Sequence, residues 1–179
     1  MQARASCDAK FEKALNEAIS SFRCIQDEDI ETFLHDKAID FSNRGWCSVY
    51  LLLNEDSFYA GELKIEAYFT LSHKSMVADP ANMSGSAITR YGGFKSAKTL
   101  DFVLIGQLGK YIDEEKRSEI SGNDILDEAF DVIRQASELI PCKYALVECS
   151  DEAKVRAFYE NYHFSFFQKD TLNQYTKKI

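Results

Sequence analysis

The sequence predicts an α/β fold in which a mixed β-sheet is flanked by helices. Its 179 residues are typical of a single domain, and the 45% of apolar residues are enough to build a sizeable core. Along the chain, apolar residues at helical spacing alternate with short strand-like runs. Helices interleaved with strands in this way indicate a sheet covered by helices.

The N-terminal part predicts two helices and then two strands. Residues 8–20 carry apolar side chains at helical spacing, and Asp27 is a suitable N-cap for a second helix because an acidic first turn follows it. Strands are predicted over Cys47–Leu53 and Leu63–Ser72. The polar segment between them suits a hairpin connection, so these two strands are expected to pair antiparallel.

The C-terminal part predicts a strand, a crossover helix and a parallel strand. Residues 100–109 contain the continuous apolar run Phe102–Ile105, which is typical of a central strand. A helix is expected from near Ser121 until Pro141 ends it. The remaining predicted elements are a strand over Lys143–Cys149, a short helix over Glu152–Asn161 and one or two strands within Phe164–Thr176.

In the stretch 74–99 the apolar residues follow neither the helical nor the strand spacing, and the stretch contains Asp-Pro, Ser-Gly-Ser and Gly-Gly. A loop of this length in a compact domain indicates a functional lid or local disorder, and the sequence leaves both open. Its charged residues are Lys74, Arg90, Lys95 and Lys98 against the single acid Asp79, a local net charge of +3.

Whole-chain charge and cysteine content narrow the function classes. The net charge of −8 opposes a nucleic acid backbone, so nucleic acid is not expected as a partner. The five cysteines form neither a C-x-x-C pair nor a cluster with histidine, which indicates free thiols, no metal site and a cytoplasmic location. The polar segment Met1–Lys10 does not resemble a signal peptide, and no long apolar run predicts a membrane span. A monomer and a homodimer both remain open.

An anion site is predicted at the start of the helix near Ser121. The N–H groups at a helix N-terminus have no intrahelical acceptor and lie at the positive end of the dipole, which suits a pyrophosphate. The N–H groups in question belong to Ile120, Ser121, Gly122, Asn123 and Asp124.

The run Arg117–Gly122, followed by Ile125 and Leu126, resembles the R/Q-x-x-G-x-G/A signature of the GNAT superfamily of N-acetyltransferases. Ile120 stands where that signature has its first glycine. The resemblance implies a central, mixed and splayed sheet, with acetyl-CoA as the acetyl donor and no metal. It assigns Arg117 and the five amides to binding of the pyrophosphate of acetyl-CoA.

Two further segments resemble the same superfamily. The segment 157–164 is similar to its F-Y-x-x-x-G-F element, with His163 in place of glycine, and this implies that Tyr159 protonates the departing thiolate. Residues 104–110 are similar to its fourth strand, which implies that Leu108, Gly109 and Lys110 line the pantetheine arm. Glu148 is the nearest carboxylate available as a general base; an α-amine acceptor, with a pKa near ~8, needs little help from a base.

The main hypothesis is therefore acetyl transfer from acetyl-CoA to a primary amine of a small molecule or peptide, by direct attack of the amine on the thioester. Two alternatives remain. One is a toxin-type GNAT that acetylates aminoacyl-tRNA, which the element order also resembles and the net charge opposes. The other is a CoA-binding or partner-binding module without turnover.

Overall fold

The computed structural model describes residues 9–179, so Cys7 and Asp8 lie outside the described residues. Helix α1 (Ala9–Ser21) is followed by α2 (Glu28–Thr32), a π-helical turn (Phe33–Lys37) and α3 (Ala38–Asn43). The side chain of Asp27 accepts hydrogen bonds from the N–H groups of Asp29 and Ile30, which confirms it as the N-cap of α2.

The remaining elements follow the predicted alternation of strands and helices. They are β1 (Ser48–Leu53), α4 (Glu55–Tyr59), β2 (Ile65–Val77), α5 (Gly85–Gly92), β3 (Thr99–Lys110), α6 (Gly122–Leu139), β4 (Tyr144–Cys149), α7 (Ala153–Asn161), β5 (Ser165–Lys169) and β6 (Asn173–Lys178).

Over the described residues, the strands form a six-stranded sheet in the order β1-β2-β3-β4-β6-β5. Strands β3 and β4 are parallel, with Val103 opposite Ala145, and α6 is the crossover between them. Strand β6 is antiparallel to β4 and to β5. The mixed α/β sheet flanked by helices is thus confirmed.

Two segments contain helices that the sequence analysis left without secondary structure. Helix α4 lies in the connection between β1 and β2, where the side chain of Asn54 accepts a hydrogen bond from the N–H of Ser57 at 2.9 Å. Helix α5 lies in the stretch 74–99, and Ser84 caps it by accepting from the N–H of Ala87 at 3.2 Å. The prediction that residues 74–99 lack regular structure was therefore wrong, because short capped helices and the end of β2 carry too few apolar residues to show a period.

The chain divides into two compact units. The first contains the described residues up to Phe69 together with Gln107–Ile125. Its core includes Phe22, Leu34 and Tyr68, and the Tyr68 hydroxyl donates a hydrogen bond of 2.6 Å to the carbonyl of Ile30. Burial raises the pKa of Tyr68 well above its usual value, so this hydroxyl keeps its proton.

The second unit contains Thr70–Gly106 and Leu126–Ile179. Within it, the N–H of Ala78 donates to the carbonyl of Lys98 at 2.9 Å, and this bond closes the base of a segment that we call the 78–98 arm. Tyr91, in the arm, packs against Phe102, and its hydroxyl lies 3.0 Å from that of Thr176. None of the helices over residues 9–179 has the length and apolar character needed to cross a membrane.

Candidate functional site

The segment between β3 and α6 is a closed hairpin. The N–H of Asp113 donates to the carbonyl of Lys116 at 2.8 Å, and the N–H of Ser118 donates to the carbonyl of Tyr111 at 2.9 Å. Arg117 forms an antiparallel bridge with Ile112 and has an exposed side chain. The hairpin includes Arg117, the first residue of the R-x-x-I-x-G run.

The amides predicted to bind a pyrophosphate are partly occupied by side chains of the same segment. The N–H of Ser121 donates to Oδ2 of Asp124 at 2.7 Å, and the N–H of Asp124 donates to Oγ of Ser121 at 3.2 Å. This reciprocal pair is a capping box at the start of α6. The N–H of Ile120 donates to Oγ of Ser118 at 3.2 Å. Of the five predicted amides, those of Gly122 and Asn123 alone have no acceptor among the described residues.

Lys110 holds the same segment from the end of β3. Its Nζ lies 2.9 Å from the carbonyl oxygen of Ile120 and 3.4 Å from that of Ser118. An ammonium group that donates to these two carbonyls fixes the path of the chain just before α6. The side chain of Lys110 therefore has a structural partner, whereas the role of its backbone in lining a pantetheine arm stays a prediction, as does that of Leu108.

Gly109 has a packing role within the first unit. A Cβ atom added at this position would lie 2.2 Å from Cγ2 of Ile30, far closer than two carbon atoms can approach. Any other residue at 109 would thus displace Ile30, which is buried in the core of that unit. The glycine is explained by this contact without a ligand.

These contacts decide how well the start of α6 fits the diphosphate of acetyl-CoA. The segment has the N-terminal geometry and two free amides, but three further amides already have acceptors, and one of these acceptors is a carboxylate. As it stands, the segment does not fit a wrapped diphosphate.

Tyr159 lies in the second unit, near the end of α7. Its ring packs edge-to-face against Phe164 at a centroid distance of 5.6 Å and lies 5.0 Å from the ring of Phe158. Burial raises the pKa of the Tyr159 phenol well above its usual value, and the nearby Cys149 thiol acts in the same direction. The hydroxyl makes no hydrogen bond to another residue of the range 9–179, and its role as a proton donor stays a prediction.

The turn after α7 is a Schellman motif with histidine at its left-handed position. The N–H of Phe164 donates to the carbonyl of Tyr159 at 3.0 Å, and the N–H of His163 donates to that of Glu160 at 2.9 Å. His163 has a φ of 66° and is the one non-glycine residue of the described range with a positive φ. This conformation explains the glycine of the F-Y-x-x-x-G-F element, because glycine adopts it without steric cost.

Glu148 is held by two partners in the second unit. Nζ of Lys74 lies 3.0 and 3.1 Å from its two carboxylate oxygens, and Nε2 of Gln174 donates to Oε1 at 2.6 Å. These contacts explain the orientation of the Glu148 carboxylate without a substrate. Its assignment as general base stays a prediction, to which the geometry adds no support.

Lys74 and Gln174 could not be found from the sequence as partners of Glu148, because they are 74 and 26 residues away from it. The capping box had a readable signal, the S-x-x-D spacing of Ser121 and Asp124. No group of three metal-ligating side chains occurs within residues 9–179.

No known protein family matches the sequence, and no curated protein does. Solved structures do resemble the chain. The toxin AtaT complexed with acetyl-methionyl-tRNAfMet has a TM-score of 0.68 and 19% identity, over 89% of this chain and 86% of that one. A tyrosine-to-phenylalanine mutant of KacT has a TM-score of 0.67 and 20% identity, over 89% and 86%. A mutant of AtaT bound to the C-terminus of the antitoxin AtaR and to acetyl-CoA has a TM-score of 0.66 and 18% identity, over 90% and 85%.

The chain has the GNAT fold. Its strands β3 and β4 and the helix α6 between them are the part that the R-x-x-I-x-G and fourth-strand resemblances identified. Within this GNAT fold, the occupied amides of α6 and the histidine at 163 are departures from the superfamily's signatures.

Proposed function

We propose that the protein is an acetyl-CoA-dependent N-acetyltransferase whose acceptor is the amino group of an aminoacyl-tRNA. The observation that carries this proposal is the similarity, over most of both chains, to toxins that include AtaT in complex with acetyl-methionyl-tRNAfMet. Bound acetyl-CoA in a similar structure supports the donor. The small-molecule or peptide amine first expected from the sequence is the same chemistry with a different acceptor.

The chemistry requires little of the protein beyond positioning and one proton donor. The neutral amine attacks the thioester carbonyl, the carbon–sulfur bond breaks, the sulfur takes a proton and leaves as a thiol, and the nitrogen releases one proton to solvent to give the amide. Tyr159 is our candidate for the proton donor to the sulfur because its phenol is protonated and its hydroxyl has no partner among the described residues; its raised pKa also makes it a weaker acid than a free tyrosine. The α-amino group of an aminoacyl ester has a low enough pKa that a strong base is unnecessary.

The 78–98 arm supports an RNA acceptor in spite of the net charge of −8. The arm contains Arg90, Lys95 and Lys98 against the single acid Asp79, and all three basic side chains are exposed. Phe94 is 61% exposed beside them. Basic and aromatic side chains together contact the phosphates and bases of single-stranded RNA.

A groove beside the arm offers a site for a terminal nucleotide. It has a volume of about 370 Å³ and is lined by Arg90 of the arm and by Phe166 and Gln168 of β5, among others. Phe166 is 56% exposed, so its ring can stack on a base. Arg90 adds a positive charge next to that ring.

The direct test is transfer of radiolabelled acetyl from acetyl-CoA to charged tRNAs, compared with a panel of free amines and peptides. The double variant Arg90→Glu with Lys95→Glu should raise the KM for aminoacyl-tRNA about tenfold or more and leave turnover of any free amine unchanged. The control is Lys37→Glu, an exposed lysine of the π-helical turn. Acetylation of free amines but not of any charged tRNA would contradict the RNA acceptor.

A second candidate is a partner-binding module without turnover, which the three occupied amides of α6 favour. Calorimetry separates it from the enzyme. Binding of acetyl-CoA together with acetyl transfer excludes the module, whereas a folded protein that neither binds acetyl-CoA nor acetylates any acceptor excludes the enzyme.

A further inference from the structure

The start of α6 already contains an anion. The Asp124 carboxylate accepts the N–H of Ser121 at 2.7 Å, one turn before its own position. Its pKa is held below the usual value first by the hydrogen bonds to Ser121 and then by the charge of Lys110, so it is ionised at neutral pH. A negative charge is therefore fixed where the N–H groups and the helix dipole would otherwise attract a phosphate.

Neighbouring groups complete this internal arrangement. Oγ of Ser121 accepts a hydrogen bond from the N–H of Asp124. Oγ of Ser118, a buried residue, accepts one from the N–H of Ile120. Lys110 donates to the carbonyls of Ser118 and Ile120, which keeps the chain in this path. Among the described residues, only the N–H groups of Gly122 and Asn123 remain for an incoming diphosphate.

We propose that Asp124 is an internal competitor for the diphosphate of the acetyl donor and thereby sets the affinity of this protein for that donor. The donor binds fully only when the carboxylate leaves the N–H of Ser121, which exchanges one anion for another at the same amide. The inference rests on the proposed function in that the donor is acetyl-CoA. The proposal predicts that the wild type binds acetyl-CoA weakly and that removal of the Asp124 charge increases this affinity.

The variant Asp124→Asn tests this charge with little loss of capping. An asparagine side-chain oxygen can still accept from the N–H of Ser121, as the amide oxygen of glutamine does at this position of a capping box. The dissociation constants of acetyl-CoA and of adenosine 3′,5′-bisphosphate should each fall about tenfold, since a like charge has been removed from the binding position. S-acetylpantetheine, which lacks the diphosphate, should bind the wild type and the variant equally.

The matched control is Glu138→Gln, which removes the same charge from an exposed position on the same helix, about 21 Å further along its axis. It should leave all three dissociation constants unchanged. Thermal unfolding of both variants checks that the fold is retained. Calorimetry supplies each dissociation constant, so the readout does not depend on turnover.

The outcomes separate the two proposals. Equal affinity of the wild type and Asp124→Asn for acetyl-CoA overturns the role of Asp124 and leaves the enzyme intact. Tighter binding by Asp124→Asn without acetylation of any acceptor supports Asp124 and overturns the proposed function. If neither protein binds acetyl-CoA, both proposals are wrong; if Glu138→Gln tightens binding as much as Asp124→Asn does, the effect is one of net charge and the specific role of Asp124 is refuted.

Discussion

Replacing His163 with glycine should stabilise the protein. His163 occupies the left-handed position of the Schellman motif after α7, with a φ of 66°, and its side chain is exposed. The change therefore removes backbone strain without removing a buried contact. The two hydrogen bonds of the motif come from backbone N–H groups, so glycine keeps both.

The magnitude follows from two opposing contributions. A side chain in the left-handed region costs about 1–2 kcal/mol, and histidine lies near the low end because it tolerates this region better than most residues. Glycine also raises the conformational entropy of the unfolded chain, which lowers the free energy of unfolding by about 0.4–1 kcal/mol. The net gain in the free energy of unfolding is at most about 0.6 kcal/mol, which for a chain of this length raises Tm by up to about 2 °C.

Differential scanning calorimetry and urea unfolding both measure this change. Asn161→Gly is the control, because position 161 is the last residue of α7 and glycine there should lower the free energy of unfolding by about 0.2–0.4 kcal/mol. His163→Ala should also be destabilising, since alanine lacks the tolerance of histidine for positive φ. A lower Tm for His163→Gly, or equal shifts for the two glycine variants, would refute the reasoning.

Three further predictions concern the proton donor, a helix cap and a close contact. Tyr159→Phe should lower kcat for acetyl transfer about a hundredfold with an unchanged Tm, and unchanged turnover would remove its role. The kcat of the wild type should not fall with rising pH below about pH 10, because the raised pKa of Tyr159 keeps the phenol protonated there. Asp27→Ala should reduce the free energy of unfolding by about 1 kcal/mol in urea, because two N–H groups of α2 lose their acceptor, and Asp27→Asn should retain most of it. Gly109→Ala should cost about 1–3 kcal/mol through its contact with Ile30, and much less in an Ile30→Ala background; an equal cost in both backgrounds would contradict the steric explanation.

The sequence was most informative where apolar spacing and a cap coincide. Asp27 was identified as a cap, and β3 and α6 were placed to within a residue or two, because these elements are long enough to show their period. The eight residues of α5 are too few for that, and Gly92 and Gly93 at its end resemble a loop. The π-helical turn within Phe33–Lys37 has no compositional signal of its own.

The helices that carry the candidate site residues were predictable, whereas the contacts of those residues were not. The resemblances pointed to the start of α6 and the end of α7, but a motif does not say whether its N–H groups are free. That depends on Ser118 and Asp124, whose side chains turn back onto neighbouring amides. The ion pair of Glu148 with Lys74 joins residues far apart in the chain and follows only from the tertiary structure.

The closed base of the 78–98 arm has a consequence for how this protein can diverge. The hydrogen bond between Ala78 and Lys98 brings the two ends of the arm together, so an insertion or exchange within it need not alter where β2 ends or β3 begins. Lengthening a loop that is already closed adds little entropic cost, since that cost grows only with the logarithm of loop length. If the arm contacts the acceptor as proposed, exchanging arms between related chains should transfer acceptor preference while the sheet keeps its strand order.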